Sequence, residues 1–147
     1  MNQRSVSRRA VLGAAAALAL PSARACEFFA PTLRVYHPWT RATEEGDAST
    51  IVSMKFDQVT RSDRLIGVHT PVAEGAELGG LLASPRIDLE IPQGSEIALS
   101  EGGTYVRLTG LRQALGVGRS FPLTLVFAVG GELPAQLNID YPSFRFR

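Results

Sequence analysis

Short apolar and β-branched runs recur along most of this chain, and Gly or Pro punctuates nearly every one. Thr32–Tyr36 (TLRVY) alternates and stops at His37-Pro38, Thr50–Phe56 (TIVSMKF) is β-branched and apolar, and Arg64–Thr70 (RLIGVHT) halts at Pro71. Arg86–Ile91 (RIDLEI) puts Ile87, Leu89 and Ile91 on one face. Pro92-Gln93-Gly94 then supplies a turn before Glu96–Leu99, and Gly102-Gly103 precedes Thr104–Leu108 (TYVRL). Phe121–Val129 and Leu133–Ile139 flank Gly130-Gly131 and read as a hairpin. No stretch holds a helical period beyond about two turns. Strands this short and this closely spaced predict an all-β domain, an antiparallel β-sandwich or Greek-key barrel. The expected core includes Ile87, Leu89, Ile91, Val106, Leu108, Leu123, Leu125 and Phe127, and Trp39 and Met54 read as core side chains as well.

The first 25 residues follow a different logic. They carry Arg4, Arg8 and Arg9 without any acid, then the apolar run Ala10–Leu20, then Pro21 and the small-residue site Ala23-Arg24-Ala25. Eleven apolar residues rise only about 16 Å as a helix, too short for a hydrocarbon core of about 30 Å. Residues 1–25 therefore read as a cleavable export signal, with Ser7–Gly13 similar to the twin-arginine motif, and no transmembrane anchor is expected. The expected location is the periplasm. Cleavage after Ala25 makes Cys26 the first mature residue, the position a lipoprotein would acylate, although Ala23-Arg24 fits a lipobox poorly. The remaining domain, 26–147, loses four arginines with the signal and keeps 11 basic residues against 14 acidic ones. A single lysine and this acidic balance give no basic face for nucleic acid.

Little in the composition supports catalysis. The chain has two histidines and one cysteine, so neither an internal disulfide nor a four-cysteine zinc site can form. No GxSxG elbow, P-loop or HExxH is present, and neither His37 nor His69 sits beside a nucleophile-like motif. A binding or interaction protein is expected, not an enzyme.

A set of collinear motifs is more informative. His37-Pro38-Trp39-Thr40-Arg41-Ala42-Thr43 resembles the PWxRAT opening of the PCu(A)C family of periplasmic copper chaperones. Ser53-Met54, Asp63–Val68 with Pro71-Val72-Ala73, Glu77-Leu78 and Ile91–Gly94 resemble successive family segments. So do Gly102-Gly103 through Gly110-Leu111-Arg112, and Pro122–Phe127, so that the likeness runs from about Leu33 to Leu137. The resemblance implies a cupredoxin-like β-sandwich, Cu(I) as cargo, and work with a periplasmic partner in the assembly of cytochrome oxidase.

The same resemblance implies that the metal site is gone. Family members hold Cu(I) in the pattern H-x10-M-x21-H-x-M, soft thioether and imidazole donors suited to a soft ion. In this chain the first position is Gly79, the methionine-rich segment is absent, and the closing pair is Tyr105 and Arg107. Tyr105 and Arg107 are two apart on one strand and should share a face, a hydroxyl beside a guanidinium. No cofactor is expected from the residues, and Cu(I) enters only by family likeness. Four residues could offer relocated ligands: Cys26, with a thiolate and an α-amine, together with His37, His69 and Met54. Another reading makes Tyr105 and Arg107 an anion or partner contact in the former pocket.

Overall fold

The computed structural model describes residues 26–141, and the segment 1–25 expected to be an export signal lies outside them. Ten strands form: β1 (Glu27–Phe29), β2 (Arg34–Arg41), β3 (Ser49–Asp57), β4 (Asp63–His69), β5 (Ala73–Gly80), β6 (Leu89–Ile91), β7 (Ile97–Leu99), β8 (Thr104–Leu111), β9 (Ser120–Phe127) and β10 (Gly131–Asp140). They join in the order β5-β8-β3-β2-β10-β9-β4-β6, with β1 added on β2 and β7 on β3. The fold is all-β, as the turn-punctuated runs predict. Among the described residues no helix is long and apolar enough to cross a membrane.

One pairing departs from the antiparallel expectation. β10 lies parallel to β2, with Asn138 opposite Trp39, Ile139 opposite Thr40 and Asp140 opposite Arg41. The place where β2 changes partner lies in β2 itself. That strand does not end at His37-Pro38 but passes through it by a bulge, where its register against β3 shifts between Tyr36 and Trp39. His37 takes a left-handed backbone (φ 52°), and Pro38 has no N–H to lend a ladder. Before the bulge, the edge of β2 takes β1 antiparallel (Glu27 opposite Tyr36). After it, the same edge takes β10. β3 divides likewise, pairing β8 from Ser49 to Val52 and β7 from Met54 to Phe56.

Alternation fills the interior. Val35, Val52, Phe56, Leu65, Ile91, Val106, Leu108, Leu123, Leu125 and Leu137 are almost wholly buried, and Phe56 meets Phe127 edge to face with ring centroids 5.9 Å apart. Of the eight expected core residues, seven are buried. Ile87 is the exception: it precedes β6, which begins only at Leu89, and is half-buried against the core. Phe28 packs on the core while its neighbour Phe29 is exposed.

Two carboxylates tie one end of the sandwich together. Asp57 accepts both guanidinium hydrogen bonds of Arg34, at 2.7 and 2.6 Å, and Glu27 lies 3.4 Å from the same side chain. Those hydrogen bonds hold the Asp57 carboxyl below the ordinary carboxylate range. Asp63 is buried and accepts from the Val129 and Gly130 amides (2.7 and 2.9 Å), the Thr32 hydroxyl (2.8 Å) and the Arg64 amide (2.8 Å). Burial pushes its pKa up, but these donors outweigh burial and hold it below the ordinary range.

Candidate functional site

The positions singled out as replaced ligands meet on the outer face of neighbouring strands. Gly79 of β5 lies opposite Tyr105 of β8, and Glu77 lies opposite Arg107. The Tyr105 ring is folded across its cross-strand neighbour: a Cβ on Gly79 would collide with ring atoms Cε1 and Cζ, so only glycine fits beneath it. The next residue, Gly80, has φ +82° and packs on the Gly103 carbonyl. Arg107 Nη2 donates to the Tyr105 hydroxyl at 2.8 Å, and its guanidinium lies 5.3 Å from that ring's centroid. Arg107 Nε lies 3.6 Å from Glu77 Oε2.

This cluster does not fit Cu(I). Gly79 offers no donor, Tyr105 offers a hard oxygen already hydrogen-bonded, and Arg107 fixes a positive charge at the centre. Nor is it an open anion cradle. The guanidinium is engaged by Glu77 and Tyr105, which weakens the reading of Tyr105 and Arg107 as a free anion contact.

Of the four relocated-ligand candidates, Cys26 and His37 are direct neighbours, Met54 shares a groove with His37 while belonging to the core, and His69 lines a different groove. The His37 amide donates to the Cys26 carbonyl at 2.6 Å, so the residue before β1 and the bulge of β2 are direct neighbours. Met54 is 3% exposed and belongs to the core cluster, opposite Leu99 of β7. His69 is exposed at the end of β4, opposite Thr124 of β9. It lines a groove with Gly75, Ala76 and Ile87, and none of Gly79, Tyr105 and Arg107 lines that groove. Among the described residues no group of three or more His, Cys, Asp or Glu could hold a metal ion.

Trp39 corrects an expectation. It is half-buried on the outer face, opposite Ser53, with the Arg41 guanidinium 5.1 Å from its ring centroid. The bulge is the reason, since the extra residue fixes which side of the sheet Trp39 takes. With Tyr36, His37, Arg41, Lys55 and Glu101 it lines a groove of about 490 Å³. Its rim charges are paired internally: Arg41 with Glu101 at 2.8 Å and Lys55 with Asp57 at 3.5 Å.

Sequence reasoning missed Glu77, the residue that neutralises Arg107. Its signal was present, since Glu77 and Gly79 alternate as Arg107 and Tyr105 do. The segment Ala73–Gly80 (AEGAELGG) is nevertheless poor in β-forming residues and does not announce a strand.

Comparison with known proteins bears on the family and the fold. A family model described as putative lipoprotein LpqE-like matches residues 33–139. No curated protein matches the sequence. Among solved structures, the copper-bound PCuAC domain from PmoF2 is 28% identical, covering 79% of this chain and 98% of that one, with a TM-score of 0.71. The apo PCuAC domain from PmoF1 is 29% identical over 79% and 99% of the two chains, with a TM-score of 0.71. Copper(I)-bound DR1885 from Deinococcus radiodurans is 25% identical over 69% and 76%, with a TM-score of 0.56. On the family match across most of its length, and on the fold it shares with these domains, the chain belongs to the LpqE-like, PCuAC-type family.

Proposed function

We propose that this chain is an exported PCuAC-like protein that assists the metallation or assembly of respiratory copper enzymes, cytochrome oxidase among them. It acts by protein contact, as a binding protein and not an enzyme, and no longer carries Cu(I) at the family's position. The observation that carries the reading is the Tyr105 ring lying over Gly79, with the Arg107 guanidinium held against it by Glu77. A fixed organic cation takes the central place where the resemblance puts the metal.

A Cu(I) titration of the protein against a competing chelator tests this. The unmodified protein should lose the competition, and Tyr105→His with Arg107→Met should raise affinity. Gly79→His should raise it further only in that background. Tight binding of one Cu(I) by the unmodified protein would overturn the reading.

A second reading has one specific support, the neighbouring of Cys26 and His37. In it, these two residues hold Cu(I) as a thiolate and imidazole pair, without Met54 or His69. Tight Cu(I) binding that is lost on Cys26→Ser and on His37→Ala would establish it.

Export rests on the arginine pair, the apolar run and the Ala-x-Ala site in residues 1–25. The matched family's description as putative lipoproteins supports acylation of Cys26. Mass spectrometry of the mature protein should find Cys26 at the N-terminus, bearing a diacylglycerol if it is anchored. A retained Met1 in the exported fraction would refute cleavage.

A further inference from the structure

β5 pairs β8 along one edge, and its other edge is almost bare. A single bridge occupies it: the Leu78 amide donates to the Ser84 carbonyl at 3.0 Å, and the Ser84 amide donates back to the Leu78 carbonyl at 3.0 Å. Backbone groups alternate along a strand, so those of Ala76 and Glu74 point the same way as those of Leu78, away from β8. Among the described residues neither has a backbone partner on that side. The bridge does not continue, because the Arg86 amide, next in line to face β5, donates to the Ser84 hydroxyl at 3.2 Å instead.

A second open edge faces this one. β6 covers β4 only from Asp63 to Leu65, which leaves Ile66–His69 uncovered on that side. Joined through residues 70–72, the two edges diverge around a groove of about 530 Å³ lined by Gly67, Val68, His69, Gly75, Ala76 and Ile87, among others. Gly67 and Gly75 have no side chains to narrow it. Exposed edges are normally blunted by lysine, proline or a cover. β5 contains neither lysine nor proline.

We propose that this groove receives one extended segment of a partner protein, added as a strand on the β5 edge. Backbone pairing would supply affinity and side-chain fit the choice of partner. The occupant is a single short strand and not a second copy of this chain, because the Leu78–Ser84 bridge already takes one end of the edge and leaves only the backbone groups of Glu74 and Ala76 to pair. Its chemistry follows from the walls. Ile66 is exposed and Ile87 half-buried, which favours apolar residues at alternate positions. Glu74 and Arg86 line the groove without an ion pair among the described residues, which favours a segment carrying one cation and one anion. This docking does not depend on whether copper is bound.

The test uses the peptide Lys-Val-Thr-Val-Thr-Glu, its charge-reversed form Glu-Val-Thr-Val-Thr-Lys, and versions of both N-methylated at alternate amides. Hydrogen exchange is followed by NMR on the copper-free protein. The Glu74 and Ala76 amides should exchange freely alone and at least tenfold more slowly with one of the two peptides. The N-methylated versions should give no protection. Exchanging the charges by Glu74→Arg with Arg86→Glu should transfer the preference to the other peptide. The proposal is overturned if those amides are already protected in the free protein, if neither peptide protects them at millimolar concentration, or if N-methylation makes no difference. Because copper is absent throughout, neither result bears on the Cu(I) titration.

Discussion

At the scale of single residues, Gly79 and Tyr105 are one decision and not two. The ring needs a neighbour without a side chain, and that neighbour needs something to cover its backbone. Gly79→His alone should therefore destabilise the domain by about 1–3 kcal/mol, the usual result of forcing bulk into an occupied space. Adding Tyr105→His should recover most of that loss, because the imidazole is smaller and frees the volume. Denaturant unfolding of the two single variants and the double variant would measure the coupling. Additive effects would show that the ring swings aside at no cost. The sequence assigns Gly79, Tyr105 and Arg107 to the former ligand positions only through the flanking motifs of the family resemblance. The packing between them was not legible in the sequence, since Gly79 and Tyr105 are far apart along the chain and meet only once β5 and β8 pair.

At the scale of elements, the bulge in β2 organises the sheet. It lets one strand edge take β1 and then β10, and it sets His37 at a positive φ that costs a non-glycine residue about 1 kcal/mol or more. His37→Gly should raise stability by up to about 1 kcal/mol, read from the urea midpoint at unchanged m-value. A loss would mean that the imidazole contributes more than the strain removes. By contrast, β9 lies in the middle of the sheet, with Leu125 fully buried opposite Leu133 and Val68. Leu125→Ala should cost about 2–5 kcal/mol. The sequence showed β8 and β9 because their burial pattern is written in alternating apolar residues, and most of β3 because it is β-branched and apolar. It hid β1, which is three residues long, and β5, whose place comes from pairing and not from propensity. It also misread His37-Pro38 as a terminus, because a proline inside a strand signals either an end or a bulge, and only the partner strands decide which.

For the whole molecule, the strands that close the fold come from opposite ends of the described chain, with Thr40 opposite Ile139, and the two buried carboxylates brace the region where distant segments meet. Asp57 anchors Arg34 at the start of β2, and Asp63 gathers the turn after β9 and the chain before β2. Both carboxyls titrate below their ordinary value of 3.8 in the folded state. A carboxylate with a depressed folded pKa binds fewer protons folded than unfolded, so stability rises with pH across the interval between the two values. Its contribution is complete above the unfolded pKa and disappears as pH falls through the folded one. Unfolding free energy should thus be nearly flat from neutral pH to about 5, then fall as acid protonates the unfolded chain first. Asp63→Asn should lower stability at pH 7, because the amide nitrogen that replaces one carboxylate oxygen cannot accept and leaves either the Val129 or the Gly130 amide without its partner, and should flatten the acid limb. Asp57→Asn should do the same through Arg34. If each variant is compared with the parent by chemical denaturation from pH 7 to 2, the curves should converge at the acid end, where the parent carboxyls are protonated too. Parallel curves across that range would mean that neither carboxylate is the titrating support of the fold.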